Sequence, residues 1–344
     1  MRQVLGTVAV ALTLSLTLGA QAAPAPQRAQ PIKPGEVPHR KKTASIPPRG
    51  TYVAPRTPWG DPDIAGVFTN SDESGIPFER PKEFEGKRIE DITPAELAKL
   101  VQERQEQTIE RTPGLSEFPG ATSPMHWFEN YYAVNSRPWL VTDPQDGKVP
   151  AQTAEATKRA ADRQASRKGR GPADSWEDRS LYDRCITRGI PGSMMPAIYG
   201  NSYRIHQGPG FVTITYEMVH DTRVIPLDGR THVAQSIRQY LGDARGRWEG
   251  NTLVVETTNF TDKTSYRGSS DQLKMTERFT LLGPETVEWA VTFDDPHTWA
   301  RPWTFAMNLT KADESQQPFE YACHEGNYGM RNMLSAARAE EKAK

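Results

Sequence analysis

Histidines and arginines crowd the second half of this sequence. Five of its seven histidines fall between His206 and His324. His220 precedes Asp221, His324 precedes Glu325, and His232 trails the turn Leu227-Asp228-Gly229-Arg230. Imidazole titrates near neutrality and an adjacent carboxylate can fix its tautomer, so these are candidates for proton transfer. Arg223, Arg230, Arg238, Arg245 and Arg247 are interleaved with Asp221, Asp228 and Asp243. Most of them should satisfy one another as ion pairs. A guanidinium left over in a cleft would grip a carboxylate through two hydrogen bonds. Glu277 stands apart, because it shares an apolar face with Leu273, Met275, Phe279 and Leu281. A carboxylate facing a barrel interior must be paired, as with an arginine, or used in chemistry.

These types together fit β-elimination on a uronate-bearing carbohydrate. Arg238 or Asn259 would neutralise the carboxylate, His220 or His232 would remove the C5 proton, and Tyr240 or Tyr266 would protonate the leaving oxygen. A glycoside hydrolase using Glu277 with Glu256 is a variant of the same reading. The catalytic candidates are therefore His220, His232, Arg238, Tyr240, His324 and Glu277, with Trp248, Asn259, Tyr266 and Arg223 as substrate contacts. A second reading is a lipocalin-like binding protein whose Trp248, Trp289, Tyr216 and Phe293 line a pocket for an apolar or haem-like ligand. A third is an interaction protein of the cell envelope. No cofactor is predicted. Zinc held by histidines from separate loops is a minor alternative, since neither H-E-x-x-H nor C-x-x-C spacing occurs. P-loop, G-x-S-x-G and dinucleotide fingerprints are also missing from the sequence.

The elements that must position these residues follow from patterning. Arg2, the apolar run 4–18 and Ala20-Gln21-Ala22 read as a secretory signal peptide over 1–22. That places the mature chain in the periplasm or outside the cell, with no membrane span left after cleavage. Residues 23–57 form a proline-rich tail with a basic run, His39 to Lys42. In an oxidising compartment the two cysteines, Cys185 and Cys323, favour a disulfide. Thr93-Pro94-Ala95-Glu96 is a capping box opening a helix that runs to Arg111. The aromatic stretch His126 to Tyr132 suits a core or a stacking wall, and 151–174 suits a solvated helix or an insertion. From Phe211 onward the apolar period becomes two, with turns at Glu249-Gly250-Asn251 and Gly283-Pro284-Glu285. Trp303 to Leu309 and Phe319 to Cys323 read as two closing strands. The expected fold is mainly β, an antiparallel meander closing into a lipocalin-like barrel over 201–338. An irregular and helical region, 58–200, should pack on it.

Composition sets outer limits. Lysine plus arginine total 42 and aspartate plus glutamate 43, so the net charge is −1, which argues against nucleic acid as a partner. A small molecule or a carbohydrate is the expected one.

Three segments resemble a large family of exported bacterial proteins: Ile225-Pro226-Leu227-Asp228-Gly229-Arg230, the run from Gly242 to Phe260, and Tyr321-Ala322-Cys323-His324-Glu325-Gly326-Asn327-Tyr328. The resemblance implies export and a shared fold, and no reaction. The strand pattern, Gly246-Arg247-Trp248 included, is also similar to lipocalin-type barrels.

Overall fold

A computed structural model describes residues 50–111, 135–197, 199–312 and 317–343. The signal segment, most of the proline-rich tail and the His126 to Tyr132 stretch lie outside the described residues.

Alternating side chains build the molecule's centre. On β9 (Thr286–Asp294), Val287, Trp289, Val291 and Phe293 are all fully buried. Its neighbours are β8 (Lys274–Gly283) and β10 (Trp303–Lys311), both antiparallel to it. The sheet continues through β7 (Thr252–Thr258) to β6 (Asp243–Glu249) on one side. On the other side come β1 (Gly66–Thr69), β3 (Ser202–Gly208), β4 (Phe211–Tyr216) and β5 (Thr222–Pro226). The full order is β5-β4-β3-β1-β10-β9-β8-β7-β6, with β2 (Val141–Asp143) pairing beside β10.

This sheet is a nearly closed antiparallel barrel. Its two end strands, β5 and β6, approach through side chains. A Cβ added to Gly246 on β6 would lie 2.6 Å from Leu227 Cδ2 and 2.7 Å from Ile225 Cγ2. Glycine suits the position because the Leu227 and Ile225 side chains occupy the space a Cβ would need. Gly250 serves differently: at φ +61° it turns the β6–β7 hairpin in the left-handed region.

Aromatic rings fill the interior. Phe293 stacks on Trp303 at 4.3 Å and on Tyr266 at 5.3 Å, and Trp289 meets Phe305 edge-on at 5.4 Å.

Among the described residues three helices decorate the barrel: α1 (Pro94–Arg111), α2 (Ala154–Ser166) and α3 (Tyr328–Lys342). The α1 capping box forms as the sequence predicts. Glu96 N–H donates to Thr93 Oγ1 at 3.2 Å and Thr93 N–H donates to Glu96 Oε2 at 2.9 Å. Helix α2, opened by Thr153, is anchored on barrel loops. Its Arg159 donates to Gly268 O and Thr298 Oγ1, and its Arg163 to Asp262 O.

Three features differ from the sequence reading. Phe319 to Cys323 is not a strand; Phe319 is 76% exposed and the segment leads through the disulfide into α3. Strand β1, from the region expected to pack on the barrel, is itself a barrel strand. Strands β3 and β5 carried no signal strong enough to be read. On β5 the ordinary pattern is inverted: Val224 is 59% exposed while Arg223 is buried.

Candidate functional site

Three places gather the chemistry-bearing side chains. The first is the barrel interior. Arg223 on β5 forms a two-pronged ion pair with Glu277 on β8, Nη2 to Oε1 at 3.0 Å and Nη1 to Oε2. Trp289 Nε1–H also donates to Glu277 Oε1 at 3.1 Å. Burial works against the charge on Arg223, but the adjacent Glu277 outweighs it and keeps the guanidinium protonated. Tyr216 lies beside this pair, and burial pushes its phenol up. The pair therefore ties β5 to β8 across the core. Glu256, the other carboxylate of the hydrolase variant, is on the opposite face of the sheet. It pairs with Arg247 at 2.9 Å and Lys274 at 3.1 Å. No scissile bond can lie between two carboxylates on opposite faces of a sheet.

Of the aromatics expected to line a pocket, Tyr216, Trp289 and Phe293 are sealed in the packed core. Trp248 is half-buried, with its indole N–H buried and unpartnered.

The second place is where the long loop after β5 reaches the start of β6, beside the end of β7. Asn259, in the left-handed region at φ +59°, donates Nδ2–H to the carbonyls of Val233, Ala234 and Ile237. It is thereby a loop-holder. His232 Nδ1 lies 2.8 Å from Asp243 Oδ2, and Arg245 takes the other Asp243 oxygen at 2.7 Å. Arg238 pairs with Asp271. Tyr240 is partly exposed nearby in sequence, and Tyr266 is stacked on Phe293 with its phenol pushed up to about 12 by burial. The arginine cluster resolves into ion pairs here, as the interleaved charges predict: Arg230 with Asp228, Arg245 with Asp243, Arg247 with Glu249 and Glu256.

The third place is the turn from β4 into β5; the antiparallel pairings from β5 round to β6 make those two strands run the same way, so this turn lies at the same end of the barrel as the start of β6. Cys185 and Cys323 are bonded, with Cα atoms 5.6 Å apart. His220 lies here. Its Nδ1 sits 2.9 Å from the carbonyl of Tyr321, which can only accept, so Nδ1 is the protonated nitrogen. His220 and His232 are held by different partners, the Tyr321 carbonyl and the Asp243 carboxylate. His324 is exposed and makes no side-chain hydrogen bond among the described residues. Its neighbour Asn327 caps α3 by accepting from Met330 N, and donates to Asp183 O and Cys185 Sγ.

Residues that sequence reasoning missed complete this end. The hydroxyls of Tyr182 and Tyr321 lie 3.2 Å apart, and Tyr199 hydrogen-bonds with both. All three phenols are half-buried, and burial pushes each one up. They stay protonated, hence donors, through neutral pH. The Arg188 guanidinium lies over the Tyr182 ring at 5.2 Å, and its Nη1 is buried without a partner. Asp221, accepting from Thr187 Oγ1 at 2.5 Å, has its carboxyl pushed up by burial. Backbone strain is concentrated here. Cys185, Val219 and His220 all adopt positive φ, and at Val219 (φ +62°) a β-branched side chain makes that costly. Four of these side chains come from separate segments, so no spacing motif announces them.

Among the described residues no three His, Cys, Asp or Glu side chains are grouped to hold a metal ion. No helix among them is long and apolar enough to cross a membrane.

No family model matches the chain, and no curated protein matches it. Among solved structures, a mutant of the fluorescent protein UnaG aligns at 12% identity over 39% of this chain and 86% of that one, with a TM-score of 0.22. So slight a likeness transfers neither ligand nor activity.

Proposed function

We propose that this chain is an exported barrel protein that binds a small molecule at its disulfide-bearing end. One observation carries the reading: Tyr182, Tyr199 and Tyr321 converge there with Arg188, partly open to solvent, while the barrel interior is filled. Binding sites pair an apolar wall with a few convergent polar groups, and strained backbone gathers at them. Export is supported by the signal-like N-terminus and by the Cys185–Cys323 bond, which persists in oxidising compartments.

A thermal-shift screen over a small-molecule library tests the binding reading. Ligands should raise the melting temperature of the native protein and lose that effect in the Tyr182→Phe/Tyr321→Phe double variant. Hits indifferent to the double variant, or no hits at all, would sink it.

Uronate β-elimination is the second reading. The observation favouring it is the residue set at this same end: an arginine, three tyrosines and a histidine whose Nδ1 is taken by the Tyr321 carbonyl while Nε2 is left for other contacts. Incubation with uronate polysaccharides, followed by absorbance of the unsaturated product, decides it. A flat trace across the panel removes the lyase.

A further inference from the structure

The arginines that the sequence clusters around β5 and β6 are neutralised. Arg223, Arg230, Arg238, Arg245 and Arg247 each face a carboxylate. Three described guanidinium groups have a buried nitrogen without a partner: Arg179, Arg188 and Arg223. Arg179 and Arg223 each leave Nε buried and unpartnered, but their other nitrogens hold Asp183 and Glu277. Arg188 differs. Its Nη1 is buried and unpartnered, and it forms no ion pair with any described residue. Desolvating part of a cation without supplying an anion is unfavourable unless the anion arrives from outside.

The surroundings favour a particular anion. The three phenols satisfy one another, so a neutral hydroxyl ligand gains little by breaking into the trio. An ionised oxygen accepts much stronger hydrogen bonds and can take them over. One guanidinium supplies one positive charge, and its planar face of parallel N–H groups matches the two oxygens of a carboxylate. We infer that this end of the barrel takes the carboxylate of a small organic monoanion, with Arg188 as charge partner and the hydroxyls of Tyr182, Tyr199 and Tyr321 as hydrogen-bond donors. The inference rests on the reading that this end is a small-molecule site.

Calorimetric titration of the full chain tests it with matched probes: benzoate against benzyl alcohol, galacturonate against galactose, and inorganic phosphate. The carboxylates should bind and their neutral counterparts should not. Arg188→Gln should weaken carboxylate binding by roughly 10–100-fold, the range for loss of a charged hydrogen-bond partner. Arg188→Lys should recover part of it. If Arg188→Gln does not fold, judged by circular dichroism, Tyr182→Phe and Tyr321→Phe serve instead, each expected to weaken binding by about three- to tenfold. Arg188→Gln binding carboxylates as tightly as the native protein would overturn the inference. So would equal binding of the neutral probes, or phosphate binding as tightly as the carboxylates. In each of those cases the small-molecule site itself would still stand. Failure of every probe overturns the inference, and the library screen above then decides separately whether a site exists.

Discussion

At the scale of single residues, the Arg223–Glu277 pair is the sharpest structural feature. Removing one partner leaves a buried charge, so Arg223→Met or Glu277→Gln should each cost about 3–5 kcal/mol of stability. Changing both, Arg223→Met with Glu277→Gln, should cost less than the sum, and urea unfolding of the four proteins measures the coupling. The sequence already placed Glu277 on an inward face and offered an arginine as its partner. It could not say which one, because that depends on strands 54 residues apart meeting across the core. Arg188 was silent for a similar reason. Nothing in its own neighbourhood marks it. Its interest lies in the absence of a described carboxylate partner and in tyrosines drawn from 182, 199 and 321.

At the scale of elements, legibility followed how local the determinants are. The α1 capping box and the β8–β9 hairpin are set by contiguous residues, and both form where the pattern places them. Strand β5 is set by a tertiary contact. Its inward arginine reverses the apolar alternation, so its pattern points the wrong way. Phe319 to Cys323 has strand-like residues, yet the covalent tie to Cys185 fixes its path instead. The short turn after β1 has a pH signature. Glu73 there accepts from Ser136 N and Oγ, and burial pushes its carboxyl up to about 7. Its folded pKa lies above the unfolded one, so the native state holds the extra proton between them. Stability from this group is complete below the unfolded value near 4.5 and declines as pH rises to about 7. The decline should amount to about 3 kcal/mol, and Glu73→Gln should flatten it in denaturation curves taken from pH 4.5 to 7.5.

At the scale of the whole molecule, the barrel gathers two clusters of titratable side chains at one end, because β5 and β6 run in the same direction. In one cluster His232, Arg238 and Asn259 are occupied with loop carbonyls and carboxylates. The other cluster keeps a guanidinium and three phenols, held between segments that the disulfide joins across 138 residues of chain. Losing that bond, as in Cys185→Ser/Cys323→Ser, should lower stability by about 2–5 kcal/mol and weaken carboxylate binding together with it. Thermal unfolding and titration of the same sample would show both effects. The most direct measurement is a tyrosine-selective ¹³C spectrum of the native protein titrated with benzoate. Carboxylate binding at the disulfide end requires the Tyr182, Tyr199 and Tyr321 signals to move together while core Tyr203 holds still. Shifts confined to Tyr240, or no shifts at all, would contradict it.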